Sequence, residues 1–289
     1  MSERLTRLRE RSSFVDHVMA VVDKAGQDNA AHLSVVIAYF SFFSLFPLLM
    51  VFVWVLGKVL AGNPDLQTKV LDSAFTKLPV VGKEIQDNKG TLDGSGIALA
   101  VGLAGALWGG TKAFEAFERA MHVVWHGPTV KHESLVKRKA RAVAMMVVLG
   151  LGIAIAAASG SLPAAVSWIP GAAKPAALLV SVGLNVLLVL ASFHFASPGH
   201  GGWRTLLPGS VIAGIGLTFL FSFGTVFLTR TVDNAGDTYG TFALVIGLLT
   251  WLNLIGSLLV WSAEVNSVLA GRRAMERTKL ATKRRFARS

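Results

Sequence analysis

A few ionisable and amide side chains lie inside segments of the sequence that are otherwise apolar. The clearest is Glu264, with Asn266 two positions later and Asn253 eleven positions earlier. Positions 253 and 264 are about three helical turns apart and would share one face. Ionisable groups at membrane depth cost about 2.5–3.5 kcal/mol on insertion scales, and they usually face a protein interior or water. This stripe predicts either a substrate or proton site, or a structural bond to another segment.

A second charged group follows an apolar stretch at Lys112, Glu115 and Arg119. Lys112 and Glu115 are three positions apart, and Glu115 and Arg119 four, so each pair would be adjacent on a helix. The run is typical of a solvated helix end, and a cytoplasmic vestibule is the alternative. Lys112 and Arg119 are also the basic partners that we expect for a structural Glu264.

Other polar or helix-breaking residues are weaker candidates. Asn185 falls in the middle of an apolar stretch, where an amide usually bonds to a neighbouring helix. Pro47 predicts a kink, because it leaves the carbonyl of Phe43 without its helical donor; Ser44 or another helix would then bond to that carbonyl. Four residues in a predicted polar outer loop could gate an opening or only solvate a turn: Arg230, Asp233, Asp237 and Tyr239.

The sequence contains few of the motifs that catalytic or metal-binding sites need. The chain has no cysteine, no GxxxxGK[ST] phosphate loop and no HExxH motif. His122 and His126 are one turn apart and could share a metal ion, but an interfacial pair is the commoner meaning. We therefore expect no enzyme activity, no catalytic residue, no metal site and no cofactor.

The composition indicates that this chain lies in a lipid bilayer and not in water. Of 289 residues, 53% are hydrophobic and only 16% are charged, and the mean hydropathy is +0.56. A soluble protein needs a more charged surface, so we predict an all-α integral membrane protein. Six stretches are apolar enough to span a bilayer as a bundle: 33–57, 96–111, 140–160, 176–196, 206–229 and 240–263.

The basic residues predict the orientation. The segments on the N-terminal side of the membrane carry 21 of the 28 Lys and Arg residues, and the alternate loops carry seven. Because basic residues concentrate in cytoplasmic loops, both termini should be cytoplasmic. The net charge of +11 is then first a signature of membrane orientation.

Three flanking segments complete the predicted organisation. Residues 1–31 form a cytoplasmic amphipathic segment lying along the membrane interface, and residues 58–95 form an outer-face loop with an amphipathic helix at 66–78; the alternative for both is that they simply cover the ends of the bundle. The transmembrane domain occupies 32–270. The tail 271–289 is basic and would bind anionic lipids, whereas its single aromatic residue argues against nucleic acid. Small residues such as Gly105 and Gly109 allow close helix packing, either within the bundle or in a homo-oligomer.

Three groups of residues resemble the YihY/BrkB family of bacterial inner-membrane proteins. They are Asp28–Asn29 with Ala38–Tyr39–Phe40 and 44–48 (SLFPL), then Trp108, Phe114, Phe117 and Trp125, and finally Tyr239–Gly240 with 263–266 (AEVN). Ser262 departs from the usual Gly, and the first helix looks closest to the YhjD branch. The resemblance implies a six-helix inner-membrane protein; members have carried a ribonuclease label or are linked to serum resistance or lipid export.

The expected function is transport of a lipid or another amphipathic or anionic substrate across the cytoplasmic membrane. The absence of a phosphate loop predicts that the chain does not hydrolyse ATP itself. A non-transporting envelope-assembly scaffold is the alternative, and a membrane-tethered ribonuclease is third.

Overall fold

The protein is described by a computed structural model that covers 13–59, 96–125, 173–197, 202–239 and 241–286, together with 136, 139–145 and 148. These residues are helical almost throughout, apart from short turns at helix ends. The helices with defined bounds are α1 (Ser13–Gln27), α2 (Ala30–Val59), α3 (Gly96–Val124), α4 (Ala173–Ala196), α5 (Trp203–Tyr239) and α6 (Thr241–Phe286). Residues 139–145 form a further helical segment.

Three stretches in the described part of the chain are long and apolar enough to cross a membrane. They are Leu178–Ala196, Trp203–Phe221 and Val245–Met275, and each overlaps one of the predicted fourth, fifth and sixth spans. The predicted first span lies within α2, where Ala30–Leu45 is a shorter apolar helix. Most of 140–160 and the whole of 58–95 lie outside the described residues, so those two predictions stay predictions. Within the described residues the all-helical architecture is confirmed, with three helices long and apolar enough to cross a membrane.

The sixth helix is the centre of the bundle. It packs extensively against α5 on one side and α2 on the other, and it also contacts α1 and α3. The other large interfaces join α2 to α3 and α4 to α5, and a smaller one joins α3 to α4. At this smaller contact the rings of Phe117 and Phe193 stack 6.2 Å apart. A side chain on α6 can therefore reach more elements than one on any outer helix.

The most deeply buried part of the bundle lies at the end where α3 finishes. Met121 and Val124 of α3, Phe193 of α4, Leu206 of α5 and Val260 of α6 have almost no exposed surface. The predicted span ends at residue 111 and the charged run after it suggests a solvated helix end, whereas α3 continues to Val124 as part of the core. The reason is visible in its apolar residues, which are buried in the core and make this stretch part of the packed bundle.

Small residues allow the central helices to approach closely. A side chain at Gly109 would lie 2.8 Å from Cα of Ser44, and one at Gly105 would lie 3.1 Å from the ring of Pro47. The GxxxG pair on α3 therefore packs against α2 within the chain, as the first of the two alternatives left by the sequence predicts. Close approach of this kind lets van der Waals packing replace the missing hydrophobic driving force in lipid.

Two helices extend beyond the apolar stretches that the sequence predicts as spans. The predicted polar outer loop at 230–239 is helical, because α5 continues through it to Tyr239. The basic tail is also helical, and α6 extends to Phe286. Polar residues are compatible with a helix, and a change of composition marks the end of an apolar stretch without marking the end of the helix.

Gly209 offers a direct test of this packing. A methyl group at Gly209 would meet the backbone oxygen of Ser262 and lie 2.6 Å from the amide nitrogen of Asn266. We expect Gly209→Ala to destabilise the protein by about 1–3 kcal/mol, because the backbone atom it meets cannot rotate away. Gly183→Ala is the matched control, since Gly183 lies in α4 with nothing within 4 Å. The control should be neutral or stabilising by up to about 1 kcal/mol. Equal unfolding midpoints in detergent for the two variants would contradict this account.

Candidate functional site

The buried Glu264 is paired with a lysine from the first helix. Nζ of Lys24 donates to Oε2 of Glu264 at 2.7 Å, to Oδ2 of Asp28 at 2.5 Å and to the backbone carbonyl of Val124 at 2.7 Å. The side chain of Glu264 is 0% exposed. These four groups are called the Lys24 cluster below. An ammonium has three N–H donors, so the cluster uses all of them.

The local structure explains why each group of the Lys24 cluster lies there. Val124 is the last residue of α3, where helix carbonyls lack intrahelical donors and favour a cation. Oγ of Ser267 donates to the same carbonyl at 2.9 Å. Asp28 follows the end of α1, and Asn29 turns the chain into α2 with a φ of 53°, a left-handed conformation that Asn tolerates. The turn keeps Asp28 within reach of Lys24.

The partners predicted for Glu264 are wrong. Lys112 donates to Oε2 of Glu115 at 3.2 Å, and Nε of Arg119 donates to the backbone carbonyl of Glu115 at 3.2 Å. The predicted Lys112–Glu115 pair is thus confirmed, whereas the bond from Arg119 goes to the main chain. Lys24 was missed because helical spacing assigns a residue to a face and does not identify the element that covers it. The Asp28–Asn29 pair was a sequence signal for the turn after the first helix, and Lys24 lies close to that turn.

Three buried oxygen atoms on α6 have no hydrogen bond with the described residues. They are Oε1 of Glu264, Oδ1 of Asn253 and Oγ of Ser262. Glu264 and Asn253 share a face of α6 and are separated by about 16 Å along its axis at 1.5 Å per residue. Leaving a buried acceptor unpaired costs about 1–3 kcal/mol, so such atoms are uncommon and call for an explanation.

Asn266 lies on another side of α6, where it bonds to the backbone of α5. It is fully buried; its Oδ1 accepts from the backbone N–H of Gly209 at 2.7 Å, and its Nδ2 donates to the carbonyl of Leu206 at 2.9 Å. The side chain thus joins α6 to the first turns of α5, close to Pro208. Asn266 and Glu264 therefore bond to different helices and do not form one site.

The third helix adds two further buried carboxylates. Glu115 and Glu118 are both buried, and Oε1 of Glu118 accepts from Nη1 of Arg141 at 2.5 Å. The solvated helix end that is the commoner meaning of this charge run is therefore wrong, although Arg119 itself is exposed. Glu115 lies nine positions before Val124, or about 14 Å along α3 from the Lys24 cluster. Buried carboxylates thus occur at several levels of two helices that contact each other, α3 and α6.

The remaining predicted site residues are dispersed. Nδ2 of Asn185 donates to Oγ1 of Thr218 at 2.9 Å, so this amide joins α4 to α5 as expected for packing. Pro47 lies inside an uninterrupted α2, and Ser44 donates to the carbonyl of Ser41 at 2.8 Å, not to that of Phe43. The side chains of the outer-gate candidates lie outside the described residues: Arg230, Asp233, Asp237 and Tyr239. No group of three metal-ligating side chains occurs within the described part of the chain.

Removing the cation of the Lys24 cluster should be costly. In Lys24→Met, the carboxylates of Glu264 and Asp28 remain buried without their shared ammonium, and we expect a loss of about 3–5 kcal/mol in the free energy of unfolding. Adding Glu264→Gln should restore part of this loss, because one buried charge is then removed. Arg204→Gln, at an exposed position, is the control and should change stability by less than about 0.5 kcal/mol. A Lys24→Met protein as stable as the control in detergent would contradict the assignment.

The Asn266 contact should be stronger than the Asn185 contact. Asn266→Leu removes two hydrogen bonds to the backbone of α5 and should cost about 1–3 kcal/mol. Asn185→Leu removes a single bond between side chains, for which about 0.6 kcal/mol is typical in a membrane protein. Thermal unfolding of both variants in the same detergent measures the difference. The reverse order of stabilities would show that Asn266 does not anchor α5.

Comparisons with known proteins agree with this architecture. A protein of Dickeya dadantii (strain 3937), described as uncharacterized, is 26% identical over 273 residues, covering 86% of this chain and 81% of its own. The putative ribonuclease-like protein YfkH of Bacillus subtilis (strain 168) is 25% identical over 270 residues, covering 86% of this chain and 92% of its own. No solved structure matches. The model of the family described as Virulence factor BrkB matches residues 21–287, and this membrane protein therefore belongs to the BrkB (YihY) family.

Proposed function

We propose that this BrkB-family protein transports an amphipathic or anionic substrate, in the first place a lipid, across the bacterial cytoplasmic membrane. It would cross that membrane six times with both termini in the cytoplasm, and it would not hydrolyse ATP itself. Three long apolar helices support a membrane location, and the concentration of basic residues supports the orientation.

The observation that carries the transport proposal is the polar interior of the bundle. Glu115, Glu118 and Glu264 are buried on two helices that contact each other, and each has a basic partner that is less buried than itself. Asn253 and Glu264 add two buried oxygen atoms without hydrogen bonds from the described residues. A bundle that served only to anchor the chain would gain nothing from this arrangement, because buried ion pairs rarely stabilise a fold more than apolar packing does.

The basic residues define the chemistry of the substrate that we expect. Lys24, Lys112 and Arg141 each face a carboxylate that neutralises them. An anionic headgroup would compete with these carboxylates for the same cations, and apolar helix faces exposed to lipid would accommodate acyl chains. The basic tail from residue 271 would concentrate anionic lipids at the cytoplasmic surface.

A non-transporting scaffold of envelope assembly is the second candidate. Lys24 supports it, because all three of its hydrogen bonds are made within the chain. The scaffold predicts that loss of Glu264 lowers stability and changes no flux. The name of the Bacillus subtilis relative suggests a ribonuclease, and the expectation that this chain is not an enzyme stays a prediction.

Lipid translocation in proteoliposomes tests the proposal. We expect fluorescent anionic lipids to cross the bilayer faster in vesicles that contain the protein, and we expect Glu264→Gln to reduce that flux while the variant remains folded. Gly183→Ala is the matched control, because its site is open and lies on α4, which packs mainly against α5. Equal flux with and without protein, for several anionic lipids and with an imposed proton gradient, would exclude lipid transport. A folded Glu264→Gln protein with undiminished flux would remove Glu264 from the route.

A further inference from the structure

The first and sixth helices are joined by two ion pairs of opposite polarity. Asp16 of α1 accepts from Arg272 of α6 at 2.6 Å, and Lys24 of α1 donates to Glu264 of α6 at 2.7 Å. The two positions on each helix are eight residues apart, about 12 Å along the axis. Acid and base thus alternate between the helices, so the antiparallel register that satisfies one pair also satisfies the other.

Apolar burial of α1 is limited to one face of the helix. Val18 and Val22 face away from the protein and are 45% and 49% exposed, whereas Ala25 is deeply buried. The helix packs mainly on α6 and makes a smaller contact with α2. A helix attached in this way can leave its neighbour at lower cost than one that buries a broad apolar face.

The turn that follows α1 is suited to act as a pivot. Only Asp28 and Asn29 separate α1 from α2, and Asn29 already has a left-handed backbone conformation with a φ of 53°. A change at this one residue would swing α1 without disturbing α2. The motion would carry Lys24 away from Glu264 and from the carbonyl of Val124.

We propose that α1 is a strap that closes this end of the bundle over Glu264, and that the end opens when the two ion pairs between α1 and α6 break. The role of the strap in transport rests on the proposed function, but its movement does not. Closure keeps the buried carboxylate of Glu264 paired. Opening exposes it.

A disulfide that ties α1 to α6 tests the role in transport. Ala20 and Val268 lie midway between the two ion pairs, and the chain has no cysteine of its own. Oxidation of Ala20→Cys/Val268→Cys should form the bond and stop lipid flux, and a reductant should restore it. Val22→Cys/Val268→Cys is the control, because Val22 faces outward and should form no bond. Full flux in the oxidised, cross-linked protein would overturn the role of the strap.

The movement itself is measured by alkylation of a single cysteine at position 20, with no transport assay. Asp16→Arg should increase the alkylation rate of Ala20→Cys by about fivefold, since it replaces an attraction of up to about 1 kcal/mol with a repulsion. Exchanging the charges in Asp16→Arg/Arg272→Asp should bring the rate back towards that of the parent. An unchanged rate in Asp16→Arg would overturn the strap. If Asp16→Arg increases the alkylation rate in a protein that shows no lipid flux, the movement of α1 is supported and the proposed function is refuted.

Discussion

The buried carboxylate of Glu264 needs a cation, and the arrangement of three helices follows from how it obtains one. Lys24 reaches it from α1, and the same ammonium bonds to the carbonyl at the end of α3. The end of α3, the position of α1 and the turn at Asn29 are thus fixed by one charged group. Since α6 also contacts α2 and α5, a constraint at Glu264 extends to most of the described bundle.

The length of the apolar stretches was the most reliable structural signal in the sequence, because a long apolar stretch in a bilayer can adopt few structures other than a helix. It located α4, α5 and the apolar part of α6, and it identified Asn185 as a residue that bonds between helices. It could not locate Lys24, which is 240 positions from Glu264 and lies outside the predicted spans. Helical periodicity gives the direction of a side chain, whereas the identity of its partner depends on how separate helices pack.

The burial of the charged run after residue 111 was missed for a related reason. Residues 112–124 contain charged residues and therefore resemble a solvated segment, but their carboxylates obtain cations from within the chain. Glu118 bonds to Arg141, which comes from a later part of the sequence. Once paired, such residues can remain in a packed helix, and α3 continues to Val124. The composition of a segment indicates how costly its charges would be to bury, but it does not identify the partner residue that offsets this cost.

A structural role for the Lys24 cluster and a role in transport are compatible, because a closed state must be held by interactions that can be broken. If opening costs about 3 kcal/mol, the open state is present in about one molecule in 10². A substrate that binds only the open state would raise this population by its own binding free energy. An anionic headgroup is suited to this, since it replaces the carboxylate of Glu264 as the partner of Lys24. The new ion pair at Nζ then compensates for the one that is lost. A scaffold has no such exchange, and its Lys24 cluster would only need to be stable.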